Sequence, residues 1–220
     1  MAYTIDNILN KVTPNAKPQI AQGVAAYLKM YGPQFGVNTP ARIAAFLAQG
    51  AHETAGFRSL KEWPKKGMIA GQQYEGRKDL GNTVPGDGIK FAGRGIFQTT
   101  GRYNYAVLSK KLFSDDTLIN KPELLELPQY AVLSALHYWN DKNLNAYADR
   151  GDTVTITRKI NGGTNGLDQR LKYYSAFSSI IAINPALFLG DFLKKKIKLA
   201  GSSLFNNSFV ADIRFFFTGE

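Results

Sequence analysis

The chain of 220 residues contains no cysteine and two histidines, His52 and His137. Disulfide bonds and thiolate metal sites are therefore excluded, and a zinc site that rests on two histidines is not expected. The lack of cysteine fits a reducing compartment. We predict no metal and no other cofactor.

Long apolar runs are also missing. Residues 1–20 lack the apolar core of a signal peptide, because polar residues interrupt it at Asp6, Asn7, Asn10 and Lys11. No run reaches the ~18 apolar residues that a membrane-spanning helix needs. We therefore expect a protein that is made in the cytoplasm without a signal peptide and acts elsewhere after release or delivery.

Acidic residues are outnumbered, since 27 Lys and Arg stand against 17 Asp and Glu, for a formal charge of +10. This balance indicates an anionic partner such as nucleic acid, a cell wall or a membrane surface, although it also serves solubility. The hydrophobic content of 44% and charged content of 20% are those of an ordinary globular protein. We predict one folded domain over residues 1–183.

Residues 184–220 differ in character from this domain and form a tail of unassigned role. The tail holds a basic cluster made of Lys194, Lys195, Lys196 and Lys198. A solvated helix face is the plain interpretation of these lysines. The sharper interpretation is a segment that docks onto an anionic envelope surface or wall polymer.

Apolar periodicity predicts a mostly helical chain. Helices are expected at about 18–31, from Pro40 through Glu53, and at about 102–112, 128–139 and 166–183. In the last of these, the residues predicted to face inward are Leu167, Leu171, Tyr174, Phe177 and Ile181. Residues 153–160 are rich in β-branched side chains, which favours a strand on propensity alone.

Between Arg58 and Gly95 the periodicity is lost, and such long connections usually carry function. Glu53 precedes this segment on a predicted helix, and Glu75 lies within it. Cleavage of a glycosidic bond typically uses two carboxyl groups, because one protonates the leaving oxygen while the other activates water. Partial burial of Glu53 at the edge of its helix's apolar stripe favours the protonated form that a general acid needs. Glu62 is a rival for the base.

Four motifs that follow one another between Ala45 and Arg170 resemble glycoside hydrolase family 19, the chitinase-like enzymes of the lysozyme superfamily that include many endolysins. They are Phe46–Gln49 with His52–Gly56, Tyr74–Arg77, Phe91–Tyr105, and Ile160–Gly163 with Asp168–Arg170. The resemblance implies a mainly α, two-lobed lysozyme-like helical fold with a central substrate cleft. It also implies a helix at residues 153–160, against their propensity.

The resemblance assigns roles to residues at matching positions. Glu53 would be the general acid and Glu75 the general base, and inversion would place their carboxyls about 6.5–9.5 Å apart. Thr100 would help to hold the attacking water, Arg170 would lie near the acid, and the cleft would be lined by Gln98, Asn104 and Asn161. Apart from the resemblance, we expect His52 to pack beside the adjacent acid or to orient it. Trp63, Tyr74, Phe91 and Tyr103 are candidates for stacking on sugars, with core packing as the alternative.

The motifs depart from the chitinase pattern in two respects. Asn165 stands where many of these chitinases carry an acidic residue, and the substrate-loop segments are short. We therefore expect a monomeric muralytic glycosidase, which cleaves β-1,4 bonds between N-acetylated amino sugars of peptidoglycan. Such an enzyme could be either an endolysin or a delivered toxin. The alternatives are a chitinase, or a non-catalytic protein that binds wall or nucleic acid, although a nucleic-acid partner is not expected.

Overall fold

The computed structural model describes residues 5–182, apart from the side chain of Asp6. Within this range the chain forms ten α-helices and no β-sheet. The helices are α1 (Ile5–Val12), α2 (Pro18–Tyr31), α3 (Pro40–Glu53), α4 (Asp87–Lys90), α5 (Arg102–Phe113), α6 (Thr117–Asn120), α7 (Pro128–Asp141), α8 (Asn145–Ala148), α9 (Thr153–Asn161) and α10 (Leu167–Ala182). None of the described helices is long and apolar enough to cross a membrane. The predicted tail at residues 184–220, with its lysine cluster, lies outside the described residues.

Helix α3 is the central helix of the fold. The Thr39 side chain caps it by accepting a hydrogen bond from the backbone N–H of Arg42 at 3.4 Å, and Pro40 occupies the first turn, where no N–H is needed. All nine residues from Ile43 to Ala51 are buried, and α10 packs along the helix. A helix that is buried on all sides offers a rigid support for whatever its last residue carries.

The helix predicted by family resemblance at residues 153–160 is confirmed, and the strand favoured by propensity is wrong. Asp152 caps α9 by accepting a hydrogen bond from the backbone N–H of Thr155 at 2.9 Å. Thr153, Ile156 and Thr157 are buried together on one helical face. Tertiary burial on a helical period therefore overrides the β-branched composition.

The buried face of α10 differs from the one predicted. Phe177 and Ile181 are buried as expected, but Leu171 is 40% exposed, so its inward assignment is wrong. The adjacent Arg170 is fully buried instead. The face is rotated because the guanidinium of Arg170 finds polar partners on α3.

A second hydrophobic cluster lies apart from the core around α3. It consists of Phe91, Tyr105, Leu108, Leu118 and Leu125, contributed largely by α5, α6 and the 3₁₀ turn Pro122–Glu126. Phe91 is fully buried here and its ring packs on Tyr105, so it is not available for stacking on a sugar.

The connection between Arg58 and Gly95 contains more local structure than its sequence predicts. It includes two 3₁₀ turns, Gln72–Tyr74 and Lys78–Leu80, and the short helix α4. Lys61 pairs with Arg94 in an isolated antiparallel bridge, so the start of the connection is fixed to its end.

Candidate active site

Glu53 is the last residue of α3, and its side chain is 16% exposed. Its Oε1 accepts a hydrogen bond from Nη2 of Arg170 at 2.5 Å. Arg170 is fully buried and also donates to Oε1 of Gln49 at 2.5 Å. A charge-assisted bond to a rigid buried cation fixes the orientation of the Glu53 carboxylate.

The other oxygen of Glu53, Oε2, has no donor from the protein in the part of the chain that the structure describes. The carboxylate is thus held through Oε1, and Oε2 is the oxygen that can carry a proton for a general acid.

Gln49 and Thr157 extend this arrangement into the core, and sequence reasoning did not identify either residue as part of the site. The Gln49 amide accepts from Arg170 and donates through Nε2 to Oγ1 of Thr157 at 3.2 Å. The Thr157 hydroxyl donates in turn to the carbonyl of Thr153 at 2.7 Å. A satisfied buried network of this kind locks α3, α9 and α10 together behind Glu53. The available signal was a glutamine one helical turn before Glu53 on an apolar face.

His52 lies next to Glu53 and faces the start of α10. Its Nδ1 lies 2.7 Å from Oε1 of Gln169, a contact that favours the tautomer with the proton on Nδ1. Burial, together with the charge of Arg170, lowers the pKa of His52, so the ring is neutral at neutral pH. A methyl group at Gly166 would lie 2.0 Å from the imidazole, so the ring needs glycine at that position.

The chain turns sharply after Glu53. Three successive residues, Ala55, Gly56 and Phe57, adopt positive φ angles of 51°, 77° and 59°. Such angles are costly for the two non-glycine residues and concentrate at functional sites. The hydroxyl of Thr54 stabilises the turn by accepting from the backbone N–H of Phe57 at 2.9 Å, and Phe57 itself is buried. The turn ends the helix directly beyond Glu53.

Glu75 is exposed, and the backbone holds its carboxylate. The N–H of Gly86 donates to Oε1 at 2.7 Å, and the N–H of Gly88 donates to Oε2 at 2.9 Å. A methyl group at Gly88 would lie 2.5 Å from the Glu75 nitrogen, so glycine is needed for this close approach. The neighbouring Arg77 pairs with Asp79 instead of Glu75. The backbone therefore fixes the carboxylate, and none of the described residues forms an ion pair with it.

Glu62 connects the loop that carries Glu75 to the glycine-rich motif. Its Oε1 accepts from the backbone N–H of Gly93 at 2.6 Å. Its Oε2 accepts from Nε2 of Gln73 at 3.1 Å and from the hydroxyl of Tyr74 at 3.2 Å. The hydroxyl of Tyr74 is thus bound to Glu62.

Gln98, Thr100 and Asn104 are brought together around Gly93. A methyl group there would lie 3.0 Å from Oε1 of Gln98 and 3.2 Å from Oγ1 of Thr100. The Thr100 hydroxyl donates to the carbonyl of Gln98 at 2.9 Å, and Nδ2 of Asn104 donates to the carbonyl of Thr100 at 2.7 Å. Because Glu62 binds the Gly93 N–H, it belongs to this polar group.

The glycine-rich motif packs directly on α3. The rings of Phe46 and Phe97 are 5.4 Å apart, and a methyl group at Gly50 would lie 3.0 Å from Ile96. Gly50 precedes Glu53 by less than one turn, so this packing brings the polar group near the end of the helix.

Asn161 is the exposed last residue of α9.

The remaining aromatic candidates are open to solvent. Tyr103 is 63% exposed and Trp63 is 55% exposed. The guanidinium of Arg58 lies 5.9 Å from the centre of the Trp63 ring and stabilises its orientation. Both rings are therefore accessible to a ligand.

Comparison with solved structures identifies the class of fold. The crystal structure of chitinase C from Streptomyces griseus superimposes with a TM-score of 0.63 at 24% identity, covering 80% of this chain and 76% of that one. A bacterial family 19 chitinase matches with a TM-score of 0.58 at 21% identity, covering 80% and 93% of the two chains. The predicted mainly α, lysozyme-like fold is confirmed.

Sequence comparison gives the family. A glycosyl hydrolase family 19 domain-containing protein of Haemophilus influenzae is 33% identical over 193 residues, which cover 76% of this chain and 92% of that protein. The endochitinase of Pisum sativum is 29% identical over 181 residues, but this chain spans 54% of its length. A comparison with protein-family models gives no match. The chain belongs to glycosyl hydrolase family 19 and is a chitinase-like glycosidase, as its motifs predict.

Proposed function

We propose that this glycosidase hydrolyses β-1,4 bonds between N-acetylated amino sugars of bacterial peptidoglycan, with Glu53 as general acid and Glu75 as general base. The observation that carries the proposal is the environment of Glu53. Its carboxylate is partly buried, held on Oε1 by Arg170, and free of protein donors on Oε2 among the described residues. Oε2 is the oxygen that would present a proton to the glycosidic bond.

In this mechanism Glu53 donates its proton to the bridging oxygen as the bond between that oxygen and the anomeric carbon breaks. Water attacks the opposite face of the sugar and gives its proton to Glu75, which yields a new reducing end with inverted configuration. After the transfer, Glu53 carries a negative charge beside the guanidinium of Arg170 at 2.5 Å. The buried cation therefore stabilises the charge that develops on the acid.

Thr100 and Gln98 are suited to hold the attacking water. Their side chains lie together beside Gly93, and the Thr100 hydroxyl presents its lone pairs while its proton is committed to the Gln98 carbonyl. The backbone clamp on Glu75 leaves one further lone pair on each carboxylate oxygen for water. An inverting mechanism requires about 6.5–9.5 Å between the Glu53 and Glu75 carboxyls, and this separation stays a prediction.

Glu62 is the second candidate for the base, because it lies in the same polar group as Thr100 and Gln98. The conservative variants Glu75→Gln and Glu62→Gln separate the two. Loss of the base lowers kcat by about 10²–10⁴-fold. We expect that loss for Glu75→Gln and a smaller one for Glu62→Gln, whose amide still accepts the Gly93 hydrogen bond. The reverse order would assign the base to Glu62.

Peptidoglycan is favoured over chitin by two features of the chain. The formal charge of +10 suits an anionic wall polymer, and Asn165 replaces the acidic residue of many chitinases. The backbone carbonyl of Asn165 accepts a long hydrogen bond from Nε of Arg170 at 3.4 Å, a contact that any residue at this position can make. A chitinase remains the alternative, since the P. sativum relative is an endochitinase.

Mass spectrometry of digested peptidoglycan tests the proposal. Fragments with a new reducing amino sugar and intact stem peptides are expected, and the reducing sugar identifies the bond. Release of peptides without new reducing ends would contradict a glycosidase acting on this polymer. Cleavage of chitin oligomers with no product from peptidoglycan would transfer the activity to chitin.

A further inference from the structure

The seven residues from Trp63 to Ile69, here called the lip loop, are all exposed. The loop combines three apolar side chains, Trp63, Met68 and Ile69, with Lys65 and Lys66 between them. Exposed apolar side chains that are grouped within one short segment mark an interaction surface.

The lip loop is held at both ends. Before it, the Lys61–Arg94 bridge and the three hydrogen bonds of Glu62 fix the chain. After it, the N–H of Ile69 donates to Oε1 of Gln72 at 3.0 Å. The tip itself is a turn that is closed by the N–H of Met68 and the carbonyl of Lys65 at 2.9 Å. A surface that is already ordered loses little conformational entropy when it binds a partner.

The start of the lip loop adjoins the candidate active site. Glu62, the residue immediately before Trp63, contacts Gly93 in the glycine-rich motif and Tyr74 next to Glu75. The loop therefore begins beside the residues that would hold the water and the base.

Lys65 and Lys66 have no acidic partner among the described residues, whereas Lys61 pairs with Glu126 at 3.7 Å and Lys110 pairs with Asp116 at 3.0 Å. The two adjacent ammonium groups thus present an unneutralised double positive charge. The stem peptides of peptidoglycan bear free carboxylates on every repeat, while chitin is neutral. Charge complementarity therefore separates the two polymers at this loop.

We propose that the lip loop binds the stem-peptide carboxylates of peptidoglycan through Lys65 and Lys66, and so selects peptidoglycan over chitin. The inference rests on the proposed function. It adds a specificity surface outside the acid–base machinery, whose ligand is an anionic peptide attached to the glycan.

The test compares the double variant K65Q/K66Q with a matched control, K29Q/K172Q. The control removes two exposed lysines of α2 and α10 that also have no ion pair among the described residues. Each protein is given native peptidoglycan and the same peptidoglycan with its carboxylates converted to amides. Reducing-end release gives kcat/KM at low salt, where exposed charges act over about 10 Å or more.

We expect K65Q/K66Q to lose about three- to tenfold in kcat/KM on native peptidoglycan, which lies within what two exposed ion pairs contribute. Amidation should lower the wild-type rate by the same factor and leave K65Q/K66Q unchanged, while the control variant follows the wild type. Equal kcat/KM values of K65Q/K66Q and the wild type on native peptidoglycan would overturn the proposal. It would also be overturned if amidation lowered kcat/KM of both proteins by the same factor.

Failure of the proposed function looks different. In that case the wild type cleaves chitin oligomers and releases nothing from native or amidated peptidoglycan. Binding by the lip loop is then tested without cleavage, by co-sedimentation of the same variants with native and with amidated peptidoglycan. Binding to phosphatidylglycerol vesicles that K65Q/K66Q loses, with no difference on peptidoglycan, would overturn the proposal and assign the loop to lipid.

Discussion

Replacing Glu53 by glutamine should destabilise the protein as well as inactivate it. Arg170 is fully buried, and Glu53 supplies the one anionic partner within hydrogen-bonding distance of its guanidinium among the described residues. The amide of glutamine still offers an oxygen to Nη2, but the buried cation then lacks the counter-charge that it has whenever Glu53 is ionised.

The size of this effect follows from the burial of the pair. Removing one partner of a buried ion pair costs about 3–5 kcal/mol, and losing a hydrogen bond to a buried group costs about 1–3 kcal/mol. Because Gln keeps an acceptor, we expect a loss of about 2–4 kcal/mol. For a domain of this size each kcal/mol lowers Tm by about 2–4 °C, so the transition should move down by roughly 5–15 °C.

Thermal unfolding followed by circular dichroism, together with urea titration, measures this loss. The matched control is Glu75→Gln, whose exposed carboxylate accepts two backbone hydrogen bonds and forms no ion pair within the described part of the chain. Its stability should change by less than about 1 kcal/mol. Equal Tm values for Glu53→Gln and the wild type would refute the claim that Arg170 depends on Glu53.

Three further variants test the fold around the site. Gly88→Ala forces its new methyl group against the Glu75 nitrogen, 2.5 Å away, so kcat should fall at least tenfold while the helical circular dichroism is retained. Asp87→Asn should lower the free energy of unfolding by about 1.5–3 kcal/mol at pH 7, because it removes the ion pair with Arg102 that lowers the pKa of buried Asp87. In urea titrations the difference in stability between the wild type and this variant should narrow as pH falls below about 3.9. Leu171→Gln should change urea stability by less than about 0.5 kcal/mol, whereas a loss near 2 kcal/mol would restore its predicted inward position.

The linkage at Asp87 has a definite sign. Its folded pKa is depressed mainly by hydrogen bonds from Arg102, helped by the backbone N–H groups of Val84 and Thr83. A carboxyl of this kind contributes stability above its unfolded pKa and loses it as pH falls through the folded value. Protonation of Asp87 should thus remove the stabilising effect of the pair with Arg102 at acid pH, whereas alkaline pH should leave it unchanged.

The helix boundaries could be predicted because their signals are local. Thr39 and Pro40 mark the start of α3, and Pro18 and Pro128 mark the starts of α2 and α7, where the structure places them. Capping side chains and the fixed φ of proline act within a few residues of the chain, so a single sequence contains them.

The hydrogen bonds and the ion pair of the site could not be predicted, because they join residues that are far apart in the sequence. Arg170 meets Gln49 and Glu53 across more than a hundred residues, and this contact rotates α10 and exposes Leu171. Periodicity treats an arginine as a surface residue, since charged side chains are rarely buried without a partner. The partner was visible in the sequence only through family resemblance.

Arg94 shows the same limit in the glycine-rich motif. Its side chain is buried and donates to Glu126 at 2.7 Å and to the hydroxyl of Tyr105 at 3.1 Å. In the sequence Arg94 lies between two glycines, Gly93 and Gly95, and nothing local indicates that its side chain is buried. The structure uses it to anchor that motif to the second hydrophobic cluster.

The most direct test of the central claim is the hydrolysis rate of Glu53→Gln on peptidoglycan and on chitin oligomers, measured at a temperature where circular dichroism shows the variant to be folded. Loss of the proton donor predicts a fall in kcat of about 10²–10⁴-fold on whichever polymer the wild type cleaves. A folded variant that retains the wild-type rate would show that Glu53 is not the acid.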